Sequence, residues 1–282
     1  MTGAAGYLGG HVVEAVRAAG RQVVGTSRDG SAGPACDLLD AEAVQGLIAA
    51  VRPAVVVHCA AARVGSYDDA AAATHSVEMT CLLVGAGVER LVHISSMTVY
   101  APNQPMPAQE AMADPQSAYG QGKREAEQVL EAASGVAATI LRLPGLFGPP
   151  RRGGLVHQLC LAAALGTVPS LPASPVMWAA MHVADAAAVV ARAALDPAER
   201  TTTLNVGYPG QYSIDRLVAL VAQESGSALA TDVAHPPFEM DLSRLHAAYG
   251  PAPGSLRERL RVLLAAAAGG AEFPFQESTQ HP

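Results

Sequence analysis

Met1-Thr2-Gly3-Ala4-Ala5-Gly6-Tyr7-Leu8-Gly9 opens the chain with glycines at every third position from Gly3. That spacing makes a tight turn into a helix. The glycines admit a close backbone approach and the helix N-terminus faces an anion, so a dinucleotide pyrophosphate is the ligand such a turn seats. Residues 11–19 continue the loop as the first helix. The turn normally follows a buried strand, yet only Met1 and Thr2 precede Gly3. The first strand is absent from the sequence, and Met1 stands where its last apolar residue belongs. We expect the natural protein to carry roughly six more apolar-rich residues, a typical strand length. A chain starting at Met1 is expected to be poorly stable or weak in cofactor binding.

Outward from this loop, apolar runs of strand length at 22–26, 54–59, 90–95, 136–143 and 203–206 alternate with helical patterns. The helices are expected at 41–51, capped by Asp40, and at 116–133, 183–195, 214–223 and 256–267. The alternation predicts parallel βαβ units. After Leu143 the chain is broken by Pro144-Gly145, Gly148-Pro149-Pro150 and Gly153-Gly154, then by Pro169, Pro172 and Pro175. Such breakers mark loops and short elements. We therefore divide the chain into a nucleotide-binding core (1–145 and 180–206), a substrate lobe (146–179 and 207–268) and a mobile tail (269–282).

At 282 residues and 50% hydrophobic, the chain can bury a large core. A formal charge of -7 and the lack of any Lys/Arg run argue against nucleic acid or an anionic membrane as partner and favour a small molecule. Cys36, Cys59, Cys81 and Cys160 lie far apart, without metal-site spacing, and read as buried reduced thiols. The most apolar stretches, 155–169 and 262–268, are too short or interrupted for the ~20 residues a membrane span takes. A glycine loop stands where a signal peptide would have its apolar region. A cytoplasmic protein without a metal site is expected.

The chemistry is expected on the helix over 116–133. Tyr119 and Lys123, four residues apart, share one helix face. An ammonium near a phenol favours the phenolate, so this tyrosine can exchange a proton with an alcohol or carbonyl. Ser96 closes the strand Leu91-Val92-His93-Ile94-Ser95, at the carboxyl edge where open α/β sheets place ligands.

Taken in order, Gly3/Gly6/Gly9, His58-Cys59-Ala60-Ala61-Ala62, Ser95-Ser96-Met97-Thr98-Val99-Tyr100, Tyr119-Gly120-Gln121-Gly122-Lys123 and Arg142-Leu143-Pro144-Gly145-Leu146-Phe147-Gly148-Pro149 resemble the extended short-chain dehydrogenase/reductase family, in its NAD-dependent epimerase/dehydratase branch. The resemblance continues through His182-Val183-Ala184-Asp185, Leu204-Asn205-Val206-Gly207 and Asp241-Leu242-Ser243-Arg244-Leu245, nearly the whole chain. It implies a Rossmann-type doubly wound parallel sheet with a small C-terminal substrate lobe. It also implies a Ser96/Tyr119/Lys123 triad. Tyr119 would be the general acid or base, Lys123 would lower its pKa and hold the nicotinamide ribose, and Ser96 would orient the substrate oxygen. Gly3, Gly6, Tyr7 and Leu8 would cradle the pyrophosphate. Ala60, Ala61 and Pro144 would line the cofactor, and Asp37-Leu38 would meet the adenine. A homodimer through paired helices is implied as well.

After residues 23–26 the family position for an acidic residue holds Ser27, followed by Arg28. These suit a ribose 2′-phosphate, so NADP is expected, with NAD the alternative. Ser76 replaces the asparagine usual in its helix, which looks about one turn short. Met97-Thr98 replaces the Asp-Glu pair of the dehydratases and disfavours that reaction. His93 and His182 read as packed or hydrogen-bonded histidines, Met177 and Trp178 as packing residues, and Arg151-Arg152 as candidates to grip a substrate diphosphate. The expectation is an oxidoreductase or epimerase acting on a hydroxyl or keto carbon of a nucleotide-sugar-like substrate, with a keto-reductase favoured. The alternatives are an epimerase with tightly held cofactor and a non-catalytic NADP(H)-binding module.

Overall fold

The computed structural model describes residues 1–62 and 68–268, so the expected tail at 269–282 lies outside the described residues. The strands are β1 (Val56–His58), β2 (Arg90–Ser96), β3 (Ala137–Leu143), β4 (Gly145–Phe147), β5 (Ala180–His182) and β6 (Thr202–Asn205). The α-helices are α1 (Tyr7–Ala18), α2 (Ala41–Val51), α3 (Ala70–Gly85), α4 (Ala118–Ala132), α5 (Leu155–Leu165), α6 (Val183–Leu195), α7 (Ile214–Ser225), α8 (Ser243–Tyr249) and α9 (Leu256–Ala268). The main sheet runs β1-β2-β3-β6, all parallel, with Val57 beside Val92, Leu91 beside Ala138 and Leu141 beside Leu204. β4 and β5 form a separate parallel pair.

Strand side chains alternate between faces, and here both faces are buried. Val57, Val92 and Leu141 pack against Val12 and Val16 of α1 and Val189 and Val190 of α6. Val56, Leu91 and Ile140 turn the other way, onto Val44 of α2, Leu83 of α3 and Leu130 of α4. This is the doubly wound arrangement, and it explains why the strands read as continuous apolar runs. α9 is tied to α6 by Arg259, which grips the buried Asp185 carboxylate that Tyr208 also donates to. Among the described residues, no helix is long and apolar enough to cross a membrane.

The expected strand at 22–26 does not form. Thr26 alone bridges, to Thr2, with its N–H donating to the Met1 carbonyl at 2.9 Å. Thr2 also bridges His58 of β1, its N–H reaching the Val57 carbonyl at 3.0 Å. The Met1 ammonium donates to the Val24 carbonyl at 2.7 Å, and Val24 is left 45% exposed. A strand exists through its neighbours, and two residues ahead of Gly3 provide a single rung of pairing. The apolar pattern of 22–26 was therefore insufficient. The cysteine expectation also needs correcting: Cys36 and Cys160 are buried, but Cys59 is half-buried and Cys81 lies exposed on α3.

Candidate active site

All parallel strands of the main sheet present their carboxyl ends on one edge, and the candidate residues gather there. Gly3 turns in the left-handed region at φ +66°, and a Cβ on it would sit 2.6 Å from the Ala60 nitrogen. A Cβ on Gly9 would run into the Gly3 carbonyl oxygen, so only glycine lets α1 start this close to the turn. Gly6 caps α1 without a side-chain hydrogen bond, which leaves first-turn N–H groups for a ligand. Beside them lies a cavity of about 640 Å³ lined by Gly3, Gly6, Ser27 and Arg28, and by Asp37, Leu38, Ala60 and Ala61. These residues fit a dinucleotide: a bare-backbone cradle at a helix N-terminus opens into a cleft of ligand size. Replacing Gly9 by alanine is expected to weaken NADH binding at least about 100-fold in a fluorescence titration. Binding within threefold of the parent would remove the cradle from the cofactor site.

Five predicted cofactor residues, Tyr7, Leu8, Tyr119, Lys123 and Pro144, lie outside this lining. Leu8 packs its side chain against the core. Tyr7 donates to the Gly148 carbonyl at 2.6 Å and lies under the Arg151 guanidinium, 5.8 Å from its ring centre. Both can therefore offer a pyrophosphate their backbone only. Pro144 is buried beyond β3, outside the cavity lining.

Ser96 ends β2 and caps a short turn at 97–99. Its oxygen accepts hydrogen bonds from the Thr98 N–H at 3.2 Å and the Thr98 hydroxyl at 3.0 Å, which fixes it in place. α4 begins one residue before Tyr119, because Ser117 caps it by accepting the Gly120 N–H at 3.1 Å. Gly120 is needed there, since a Cβ on it would run into the Thr98 carbonyl. That close approach sets Tyr119 beside Ser96. One turn on, Lys123 is 5% exposed, holds its Nζ 3.0 Å from the Ile94 carbonyl oxygen and lies 5.8 Å from the Tyr119 ring centre. Lys123 is also the sole lysine of the chain, every other permanently basic side chain being arginine. That compositional signal marks the position independently of any spacing.

The acid–base balance differs from expectation. Burial raises the Tyr119 pKa, and the Ser96 hydrogen bond pulls against it without reversing the direction. Lys123 is itself brought down to about 8, by burial first, against the nearby Cys59 and Glu127. Desolvation outweighs the attraction that spacing suggested, and Tyr119 stays protonated.

Beneath the site runs a polar network that sequence reasoning missed. The fully buried Arg142 of β3 donates to both Glu127 oxygens, at 2.8 and 2.6 Å, and to the Tyr100 hydroxyl at 2.8 Å. Ser95 donates to Glu127 at 2.5 Å and Tyr100 to Asn205 at 2.6 Å. Burial works against the Arg142 charge, but the hydrogen bonds and charge of Glu127 more than offset it. Glu127 lies one turn past Lys123, so this network pins α4 to β2 and β3. An arginine inside an apolar strand was the available signal, since a buried charge needs a partner. Elsewhere, Ser76 spends its hydroxyl on the Ala72 carbonyl of its own helix at 3.0 Å. His182 caps α6 and meets the edge of Phe147.

A parallel sheet wound on both faces, with a glycine cradle at the carboxyl edge of its strands, defines a Rossmann-type α/β fold. The chain belongs to the NAD-dependent epimerase/dehydratase family, whose sequence model matches residues 1–207. It is 36% identical over 118 residues to methionine adenosyltransferase 2 subunit beta of Danio rerio, across 40% of this chain and 36% of that one. The chain spans less than half the length of the first curated relatives it matches. A 3-diazoavenalumate denitrifying reductase of a Streptomyces species is 33% identical over 228 residues, 73% of this chain and 74% of that one. Among solved structures, MoeE5 in complex with UDP-glucose and NAD superposes with a TM-score of 0.72 at 25% identity, covering 94% of this chain and 96% of the other.

The expectation of NADP is overturned: the family is NAD-dependent, and its structural relative holds NAD. The loop at 27–31 supplies a reason. Ser27 is occupied by the Ala32 N–H at 3.1 Å and lies 3.3 Å from the Ser31 hydroxyl. Two residues on, Asp29 accepts from the Ser31 N–H and hydroxyl, which hold its pKa down to about 2. Asp29, next in sequence to Arg28, adds an acidic group to the same loop.

Proposed function

We propose that the protein is an NAD(H)-dependent oxidoreductase acting on a keto or hydroxyl carbon of a nucleotide-sugar-like substrate, with keto reduction favoured. The observation carrying this reading is Tyr119 set beside Ser96, with Lys123 Nζ 5.8 Å from the tyrosine ring centre. Bound NADH supplies the hydride. Gly3, Gly6 and the first turn of α1 would hold the pyrophosphate, Asp37 and Leu38 the adenosine, and Lys123 the nicotinamide ribose. Ser96 orients the substrate oxygen and Tyr119 gives it a proton. The lobe at 146–179 and 207–268 receives the rest of the substrate, with Arg151 offered to its diphosphate. The Ser27–Arg28 argument for reduction falls with NADP. Reduction rests instead on the raised Tyr119 pKa, and the Streptomyces reductase points the same way.

Nucleotide keto sugars are expected to consume NADH stoichiometrically, with NADH bound at least about tenfold more tightly than NADPH. Exchange of sugar isomers without net cofactor change would make the protein an epimerase instead. Because Lys123 titrates near 8, its ammonium is present below that pH and lost above it. The rate is accordingly expected to fall as pH rises through about 8, and a rate flat to pH 10 would remove the lysine charge from the reaction. A second reading, a cofactor-binding subunit without turnover, is favoured by relatives named as subunits. No NADH consumption across a broad keto-sugar panel, with NADH binding intact, would support it.

A further inference from the structure

We propose that Tyr7 and His11 form a latch that fastens the loop at 148–152 to the cofactor-bearing helix, and so holds Arg151 in place to bind a diphosphate. This rests on the reading in which Arg151 meets the substrate's diphosphate. Tyr7 and His11 act through Arg151 and are positioning residues.

Tyr7 and His11 are one turn apart on α1 and share a face. The Tyr7 hydroxyl donates to the Gly148 carbonyl at 2.6 Å, and His11 Nε2 lies 3.1 Å from the next carbonyl, that of Pro149. A carbonyl only accepts, so His11 Nε2 carries the ring hydrogen. The two rings meet edge to face with centres 6.0 Å apart, so each braces the other. Burial pushes the Tyr7 phenol up to about 12 against the pull of the Arg151 charge, which keeps it a donor. Core packing does not account for these bonds. α1 buries Gly9, Val12, Val13 and Val16 and leaves both rings half-buried at the edge of that stripe.

The start of α6, which lies beside α1, closes the loop in from another side. Gly148 turns at φ +116°, and a Cβ on it would run into the His182 ring. That ring is itself fixed, since its Nδ1 accepts the Ala184 N–H at 3.3 Å and Phe147 meets it edge to face at 5.4 Å between centres. The loop is therefore gripped by side chains from two helices.

The grip places Arg151. Its guanidinium lies 5.8 Å from the Tyr7 ring centre, and a helical side chain leans toward the helix N-terminus. The cation thus stands near the end of α1 whose first-turn N–H groups are open. Arg151 is exposed, and among the described residues no carboxylate pairs with it, so its fork of N–H donors is free for phosphate oxygens. Fixing the loop beforehand removes part of the ordering cost that binding would otherwise carry. The latch raises affinity without touching the ligand.

Binding tests this without turnover. UDP is titrated calorimetrically into the NAD-saturated protein, and NADH into the unloaded protein. His11→Leu is expected to weaken UDP at least about fivefold, the scale of one hydrogen bond, while His11→Gln, which keeps a donor, stays within about twofold of the parent. Arg151→Gln should weaken UDP at least about tenfold, and adding His11→Leu to it should cost less than about twofold more. That non-additivity separates a latch acting through Arg151 from general loosening. Should His11→Leu fail to fold, Tyr7→Phe replaces it, with a loss of at least about threefold expected. The same pattern seen with NADH and not UDP would sustain the latch and make the cofactor's diphosphate its ligand. Changes within about twofold on both ligands, or losses that simply multiply with Arg151→Gln, overturn it. The expected pattern in a protein that reduces no keto sugar would sustain the latch while sinking the proposed reaction. Losses that multiply in an active enzyme would do the reverse.

Discussion

Tyr119→Phe is expected to lower kcat about 1,000-fold on the preferred keto substrate, within the range that positioned proton transfer contributes. The change removes one oxygen and keeps the ring against Lys123, so α4 and the cofactor cradle are undisturbed. About 4 kcal/mol of transition-state stabilisation would be lost, at 1.36 kcal/mol per tenfold. NADH affinity should stay within threefold, since the pyrophosphate and adenosine contacts lie elsewhere, and KM should move little. Steady-state kinetics with a parallel NADH titration checks this. A variant retaining more than a tenth of the parent kcat would take Tyr119 out of the proton-transfer step.

Glu127→Leu is expected to cost about 3–5 kcal/mol of stability, because it strands the Arg142 guanidinium without a counter-charge inside the protein. Arg142 is 1% exposed, and both charged hydrogen bonds to Glu127 would be lost. Against a total of roughly 5–15 kcal/mol for a folded domain, that is a large fraction. The thermal midpoint should fall by about 10 °C at fixed cofactor concentration. Adding Arg142→Met to the same variant should recover much of the loss, as apolar side chains commonly replace a buried ion pair at little cost. If Glu127→Leu alone melts within 2 °C of the parent, the network is not what holds α4 in place.

Legibility in the sequence tracked how local each feature is. The glycine loop, the Asp40 cap on α2 and the Tyr119/Lys123 face are set by spacings of a few residues, and each lies where those spacings put it. The strand at 22–26 was misread because its composition is local but its pairing is not. Arg142 and Glu127 are fifteen positions apart with a strand boundary between them, so neither residue names the other. The net pKa of Tyr119 was misjudged for a related reason: the attraction of a lysine can be read from sequence, whereas the depth of burial cannot. The Ser27–Arg28 pair points to NADP only when Asp29, the next residue, is left out of the same folded loop.

By itself the sequence determined the fold class, through alternating apolar runs and helices, and the family, through an ordered series of short motifs. It also determined that a single lysine would lie on the helix carrying the candidate tyrosine. The tertiary structure alone decided what surrounds those groups. It set Tyr119 beside Ser96 at the end of β2 and closed Glu127 onto Arg142. Spacing along a chain sets which side chains share a face. Their charge states follow from the water they lose and the partners they meet when distant segments pack together.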